Sequence, residues 1–251
     1  ATGSRLLSGQ AQIISTLESA IAEFHKTEAA LLFNSGFDAN LGTLAAIGDR
    51  HTVFLYDDLC HASLIDGIRL SAAKCIRYRH NDLTQLERLL EEHHTVHHRV
   101  IIVTESIFSM DGDQADLQKL TELKRKYDNV LLYVDEAHAF GVRGRQGLGC
   151  AEEFHCIHDI DFLVGTFGKA AASVGAYIVC KKVIREYLVN RMRTLIFTTG
   201  LPPVNIAWTL FIVRRLADMQ ERRKHLAHIS RTLREALQVR GYTCPSVSHI
   251  V

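Results

Sequence analysis

The stretch VLLYVDEAH, residues 130–138, runs through five apolar residues and then turns polar at Asp135, Glu136 and His138. A continuous apolar run of this length suits a strand buried on both faces of a parallel sheet, and the abrupt change marks its carboxyl end. The same texture recurs on either side, in TVFLYDD (52–58), RVIIVTE (99–105), DFLVGTF (161–167) and GAYIVCK (175–181). Between these runs lie DLTQLERLLEEH (82–93), ADLQKLTELKRKY (115–127) and VIREYLVNRM (183–192), with apolar residues every third or fourth position. Strands alternating with helices predict an α/β domain with a mostly parallel sheet and right-handed crossovers.

The 251 residues suffice for one large domain, or for one domain and part of a second. An apolar fraction of 47% with 23% charged residues is ordinary for a globular protein. A formal net charge of +1 gives no electrostatic argument for a nucleic-acid or anionic-membrane partner. No window reaches the roughly 18 uninterrupted apolar residues of a membrane span. The six cysteines form no CxxC pair, so they read as structural thiols in a reducing, cytoplasmic compartment. The HHTVHH run (93–98) reads as a solvated connector, because nothing is spaced to complete a metal site with it.

From about Ile206 to Arg240 the apolar period is helical, and it stops at Gly241 as a helix end should. An unbroken helix of this length would reach roughly 50 Å, more than one compact domain needs. Two parts are therefore expected: an α/β domain over 1–205, then a linking helix and the start of a C-terminal domain over 206–251. YTCPSVSHIV (242–251) reads as the opening of a strand, with the C-terminal domain truncated.

Ligands of parallel α/β sheets bind beyond the carboxyl ends of the strands. The predicted strands deliver His61, then Glu105 and Ser109, then Asp135 and His138, then Thr166 and Lys169 to that crest. Upstream, NSGFDAN (34–40) puts Ser35, Gly36 and Phe37 where a strand-like run gives way to a helix. Taken singly, each has an ordinary explanation, such as a helix cap for Asp135 or a turn for Gly36. Jointly they match what pyridoxal 5′-phosphate (PLP) requires. Its aldehyde needs a lysine amine, its ring nitrogen a buried carboxylate, its ring a flat group on one face, and its phosphate a helix N-terminus with hydroxyls.

NSGFDAN, DDLCHASL, HND, TESIFSMDGD, VDEAHAFGVRGRQGLG, TFGKA and TTGLPP occur in this order. Together they resemble the α-oxoamine synthases, PLP enzymes that join an amino acid to an acyl thioester with loss of CO2. The resemblance covers nearly the whole chain and implies the large domain of an aminotransferase-like (fold-type I) transferase. By matching motif positions it implies that Lys169 holds the cofactor's aldehyde and acts as general base, Asp135 pairs with the ring nitrogen, and His138 bonds the phenolic oxygen. His61 would stack on the ring and help place the acyl group. Gly36, Phe37 and Thr166 would contact the phosphate, and Ser109 would add a further cofactor contact. Thr198 and Thr199 would reach the phosphate of a neighbouring subunit, making a homodimer with shared sites. The implied substrates are an amino acid, L-alanine foremost, and an acyl thioester, pimeloyl foremost; glycine with acetyl-CoA and a non-catalytic partner subunit remain as alternatives. Two positions depart from the family: AAAS (170–173) stands where a Gly-rich run is usual, which would stiffen the loop, and Ile14 stands where a His is common.

Overall fold

The computed structural model of the chain describes residues 3–8 and 10–251. Its strands are β1 (Ala29–Phe33), β2 (Thr52–Asp57), β3 (Lys74–Tyr78), β4 (Arg99–Glu105), β5 (Val130–Asp135), β6 (Phe162–Thr166) and β7 (Ala176–Cys180). They form one sheet in the order β1-β7-β6-β5-β4-β2-β3. All neighbours are parallel except at β7, which runs antiparallel to both β1 and β6. The five apolar runs of the sequence are β2, β4, β5, β6 and β7. The reversal of β7 leaves no mark in its composition, because it is buried on both faces like its parallel neighbours.

The helices begin with α1 (Arg5–Ser8), α2 (Gln12–His25), α3 (Gly36–Ile47), α4 (Ala62–Leu70), α5 (Leu83–His93) and α6 (Leu117–Lys124). They continue with α7 (Cys150–Glu153), α8 (Lys182–Arg191), α9 (Arg193–Ile196), α10 (Pro203–Arg215) and α11 (Gln220–Val239). Successive strand residues alternate between two cores, as the strand period of two requires. Leu31, Phe54, Ile101, Tyr133 and Val164 pack with Leu44 of α3, Leu64 of α4 and Leu188 of α8. Leu32, Leu55, Ile102, Leu132 and Leu163 pack with Leu17 of α2, Leu86 of α5, Leu120 of α6 and Ile206 of α10. Both faces of the sheet are therefore covered, and its functional edge is the crest of strand ends. Among the described residues no helix is long and apolar enough to cross a membrane.

Two expectations for the C-terminal part are corrected. The helical pattern from Ile206 is not one rod, since a 3₁₀ turn over Leu216–Met219 divides α10 from α11. The second helix does end at the expected glycine, where Gly241 takes φ 83° and Tyr242 N–H bonds the Leu237 carbonyl. Residues 242–251 form no strand. A strand needs a ladder partner, and this segment instead lies across the turn after β4, with Val247 N–H bonded to Gly112 O. Pro245 removes one further donor.

The helices α3 and α4 cross at close range because Gly67 lacks a side chain. A Cβ there would lie 2.9 Å from Asn40 O and 2.9 Å from Leu41 Cα, both rigid backbone atoms. We expect Gly67→Ala to destabilise the fold by about 1–3 kcal/mol through overpacking, measured by urea unfolding.

Candidate active site

The chain order reverses between β2 and β4, which lie side by side although β3 falls between them in sequence. The crevice beyond such a switch point is where open α/β sheets bind ligands. Four neighbouring strand ends deliver polar groups there.

Asp135 ends β5 and is 5% exposed. Its Oδ2 accepts from Asn40 Nδ2 at 2.6 Å, and its Oδ1 accepts from Ala137 N–H at 2.8 Å. Asn40 also donates to Ser63 Oγ at 3.0 Å and accepts from the Tyr133 hydroxyl at 2.8 Å. The carboxyl end of β5 and the two helices α3 and α4 are thus joined through one amide side chain. Asn40 carries no assignment in the sequence reading, although it lies four residues after Gly36 on the same helical face.

Lys169, in the loop after β6, places its Nζ 2.6 Å from His138 Nε2. The residue as a whole is exposed, yet its ammonium end is desolvated enough to lower its pKa, against the opposing pull of Asp135 and Glu105. His138 is pushed down to about 4, first by burial and then by the positive charge of Lys169. At neutral pH the imidazole is therefore uncharged, and its Nε2 accepts from the lysine.

His61 caps the N-terminus of α4, with its Nδ1 accepting from Ser63 N–H at 3.2 Å. Its own backbone N–H donates to Glu105 Oε1 at 2.6 Å. Glu105 ends β4 and is paired in register with Asp135. Burial and the neighbouring Asp135 raise its pKa to about 8. Glu136 points away from the crest: it accepts from Ser106 Oγ and from the backbone N–H groups of Cys150 and Ala151, and so shapes the glycine-rich loop before α7.

Gly36 opens α3 behind the Ser35 cap, whose Oγ accepts from Asp38 N–H at 3.0 Å. The position of a Cβ on Gly36 would lie 3.7 Å from Thr166 Oγ1, so the helix start and the end of β6 face each other. Thr166 is 9% exposed and its hydroxyl donates to Gly175 O. Phe37 follows on α3 and is exposed. Thr199 O accepts from Asn34 Nδ2 at 2.6 Å, which holds the Thr198–Thr199 segment against the residue preceding the Ser35 cap. Ser109 sits half-exposed in the turn after β4, and among the described residues no hydrogen bond joins it to Asp135, His138 or Lys169.

The AAAS run makes a tight turn. Ala172 takes φ 47°, a left-handed conformation that costs a residue with a Cβ about 1–2 kcal/mol. Two bonds hold it: Trp208 Nε1 of α10 donates to Ala172 O at 3.0 Å, and Ser173 Oγ meets Thr209 Oγ1 at 2.8 Å. The AAAS run is thus a strained turn braced from α10. Ala172→Gly is expected to stabilise the fold by about 0.5–1 kcal/mol in urea unfolding, because strain relief outweighs the added unfolded-state freedom.

Comparison with known proteins gives the family and the fold. The sequence pattern of the aminotransferase class I and II family matches residues 1–251. A putative 8-amino-7-oxononanoate synthase of Glaesserella parasuis is 58% identical over 96% of this chain and 63% of its own length. The crystal structure of 8-amino-7-oxononanoate synthase from Francisella tularensis superposes with TM-score 0.84 at 32% identity, over 96% of this chain and 68% of that one. A high-resolution structure of SPT with PLP gives TM-score 0.92 at 31% identity, over 99% of this chain and 62% of that one. The chain thus spans less than two thirds of the length of the curated relative. With a family match over residues 1–251 and relatives named 8-amino-7-oxononanoate synthase, the chain belongs to the aminotransferase class I and II family, among relatives of the α-oxoamine synthase type.

Proposed function

We propose that this protein is a PLP-dependent acyltransferase that condenses an amino acid, L-alanine, with a pimeloyl thioester and releases CO2, giving 8-amino-7-oxononanoate for biotin synthesis. The observation that carries it is the convergence of Asp135, His138 and Lys169 on one crest facing the start of α3. That donor set fits the cofactor: a buried carboxylate for a ring nitrogen, an amine for an aldehyde, and free helix N–H groups for a phosphate. When bound, PLP supplies an electron sink for carbon acids and an aldehyde that couples to amines.

The protein's own groups divide the remaining work. Asp135, fixed by Asn40 and the Ala137 amide, holds a proton on the ring nitrogen through a charge-assisted bond. Lys169, with its pKa lowered by desolvation, offers an amine that can couple to the aldehyde and afterwards take a proton from the substrate. His138 stays neutral, so it orients the lysine without placing a second cation beside it. His61, held at the cap of α4, would supply the flat group over the ring. Gly36, Phe37 and Thr166 would hold the phosphate, and Ser109 would add a contact from the turn after β4.

Two copies would share the site. Thr198 and Thr199 lie on a segment flanked by the exposed side chains of Phe197 and Val204, with Trp208 and Phe211 stacked nearby. Such a surface suits a homodimer, and Thr198 and Thr199 would then meet the partner's phosphate.

Borohydride reduction after mixing with PLP is expected to label Lys169 alone by peptide mass spectrometry, and the Lys169→Ala variant to take no label. Asp135→Asn removes a charge-assisted bond worth about 1.5–3 kcal/mol, so spectrophotometric titration should show PLP affinity falling on the order of ten- to a hundredfold. Turnover compared on alanine with pimeloyl thioester and on glycine with acetyl-CoA should favour the first pair; the reverse preference would reassign the substrates.

A further inference from the structure

Glu105 has no part in the reaction just described, yet it is a deeply buried carboxyl at the crest, at 2% exposure. It ends β4 directly beside Asp135, which ends β5, and residues in register on neighbouring strands project to the same side. Two carboxyl groups so placed cannot both remain charged without a cation between them. The donors around them decide which gives way. Asp135 accepts from two N–H groups, those of Asn40 and Ala137, whereas the hydrogen bond recorded for Glu105 is the single one from His61 N–H. Glu105, the less well supplied of the two, is the one whose proton is held more tightly.

The acceptor bond to His61 spans the switch point, from the end of β4 to the loop after β2. The ring of His61 is fixed by Ser63, whose hydroxyl lies 2.8 Å from Nδ1. Its backbone is fixed by Glu105. We propose that Glu105 is a positioning residue: it anchors the backbone amide of His61 and so sets the His61 ring over the cofactor site. This rests on the PLP reading for what His61 covers, but not for the anchoring itself.

A pH dependence follows. The groups that face Glu105 are Asp135 from β5, Asp57 from β2, Cys60 from the loop after β2, and Lys169 from the loop after β6. The His61 N–H bond and Lys169 favour ionisation, but burial and the neighbouring Asp135 outweigh them, so the carboxyl is raised to about 8. A folded pKa above the ordinary carboxyl value means that the proton-bound form belongs to the fold. Its contribution to stability is complete below the ordinary glutamate range of about 4.3 and is lost as pH rises through about 8. As Glu105 ionises, the His61 amide proton acquires a charged acceptor.

The test follows the His61 backbone amide of histidine-labelled protein by nitrogen–proton NMR across this range, first without PLP and then with it. The amide proton is expected to move downfield with a midpoint near 8, and to lose that step in Glu105→Gln. At neutral pH the Glu105→Gln resonance should stay close to the wild-type position, since an amide carbonyl still accepts the bond, while that of Glu105→Ala should shift. Thermal melting of each variant shows whether it is folded. A midpoint in the ordinary carboxylate range, or a step that survives in Glu105→Gln, would overturn the assignment. PLP absorbance in the same samples separates the two readings. The titration without cofactor uptake sinks the PLP reading and keeps the anchor; uptake without the titration does the reverse.

Discussion

A carboxylate removed from water must be given hydrogen bonds, and the crest is arranged around meeting that demand for Asp135. Its principal donor, Asn40, is not a neighbour in sequence but a residue of α3, which packs on one face of the sheet. Asn40 can reach the end of β5 only if α3 lies close over the strands, and α3 can lie there only because Gly67 lets α4 pass against it. The helix that satisfies the carboxylate is also the helix whose start, at Ser35 and Gly36, faces Thr166. One hydrogen bond of 2.6 Å thus fixes the spacing between a negative charge and a helix N-terminus.

The two consecutive acids at the end of β5 show how strand geometry divides labour. Asp135 and Glu136 project in opposite directions, as successive strand residues must. The first serves the crest. The second, fully buried and raised to about 7 by burial, collects a hydroxyl and two backbone N–H groups and pins the loop that carries Gly144, Gly147 and Gly149. Gly149 takes φ 112°, and a Cβ there would meet Glu136 Oε2, so glycine and acid require each other. The DE pair reads in sequence as one polar patch but acts as two unrelated anchors.

This is also where the sequence stops being sufficient. The strands β2, β4, β5, β6 and β7 were legible because burial on both faces leaves a continuous apolar run. β3 was not: KCIRY is an edge strand, mostly exposed, with a lysine and an arginine among its five residues. The direction of β7 was illegible for the opposite reason, since full burial erases any difference between parallel and antiparallel neighbours. The break at Leu216–Met219 left the apolar period nearly intact and so escaped notice. At the crest, Asp135, His138 and Lys169 could be read from their places at strand ends. Asn40 and the role of Glu105 could not, because their partners are 95 and 44 residues away in sequence and only the fold brings them together.

The charges of the crest then follow from burial and partners rather than from a count of ionisable residues. Two carboxyls, two histidines and a lysine would give a site of ambiguous sign if each kept its solution behaviour. Burial removes the charge from His138, and the Asp135 field together with burial removes it from Glu105. What remains is a desolvated amine, Lys169, beside the hydrogen-bonded Asp135 carboxyl, with the N-terminus of α3 across the cleft. An anionic group arriving at that helix start meets backbone N–H groups beside the Asp38 carboxylate, which the Ser35 hydroxyl partly engages, and an aldehyde arriving at Lys169 meets an amine whose proton is weakly held. The long C-terminal helices take part as well. Trp208 and Thr209 hold the strained Ala172 turn and so keep the lysine loop in place, which links the position of Lys169 to the packing of α10.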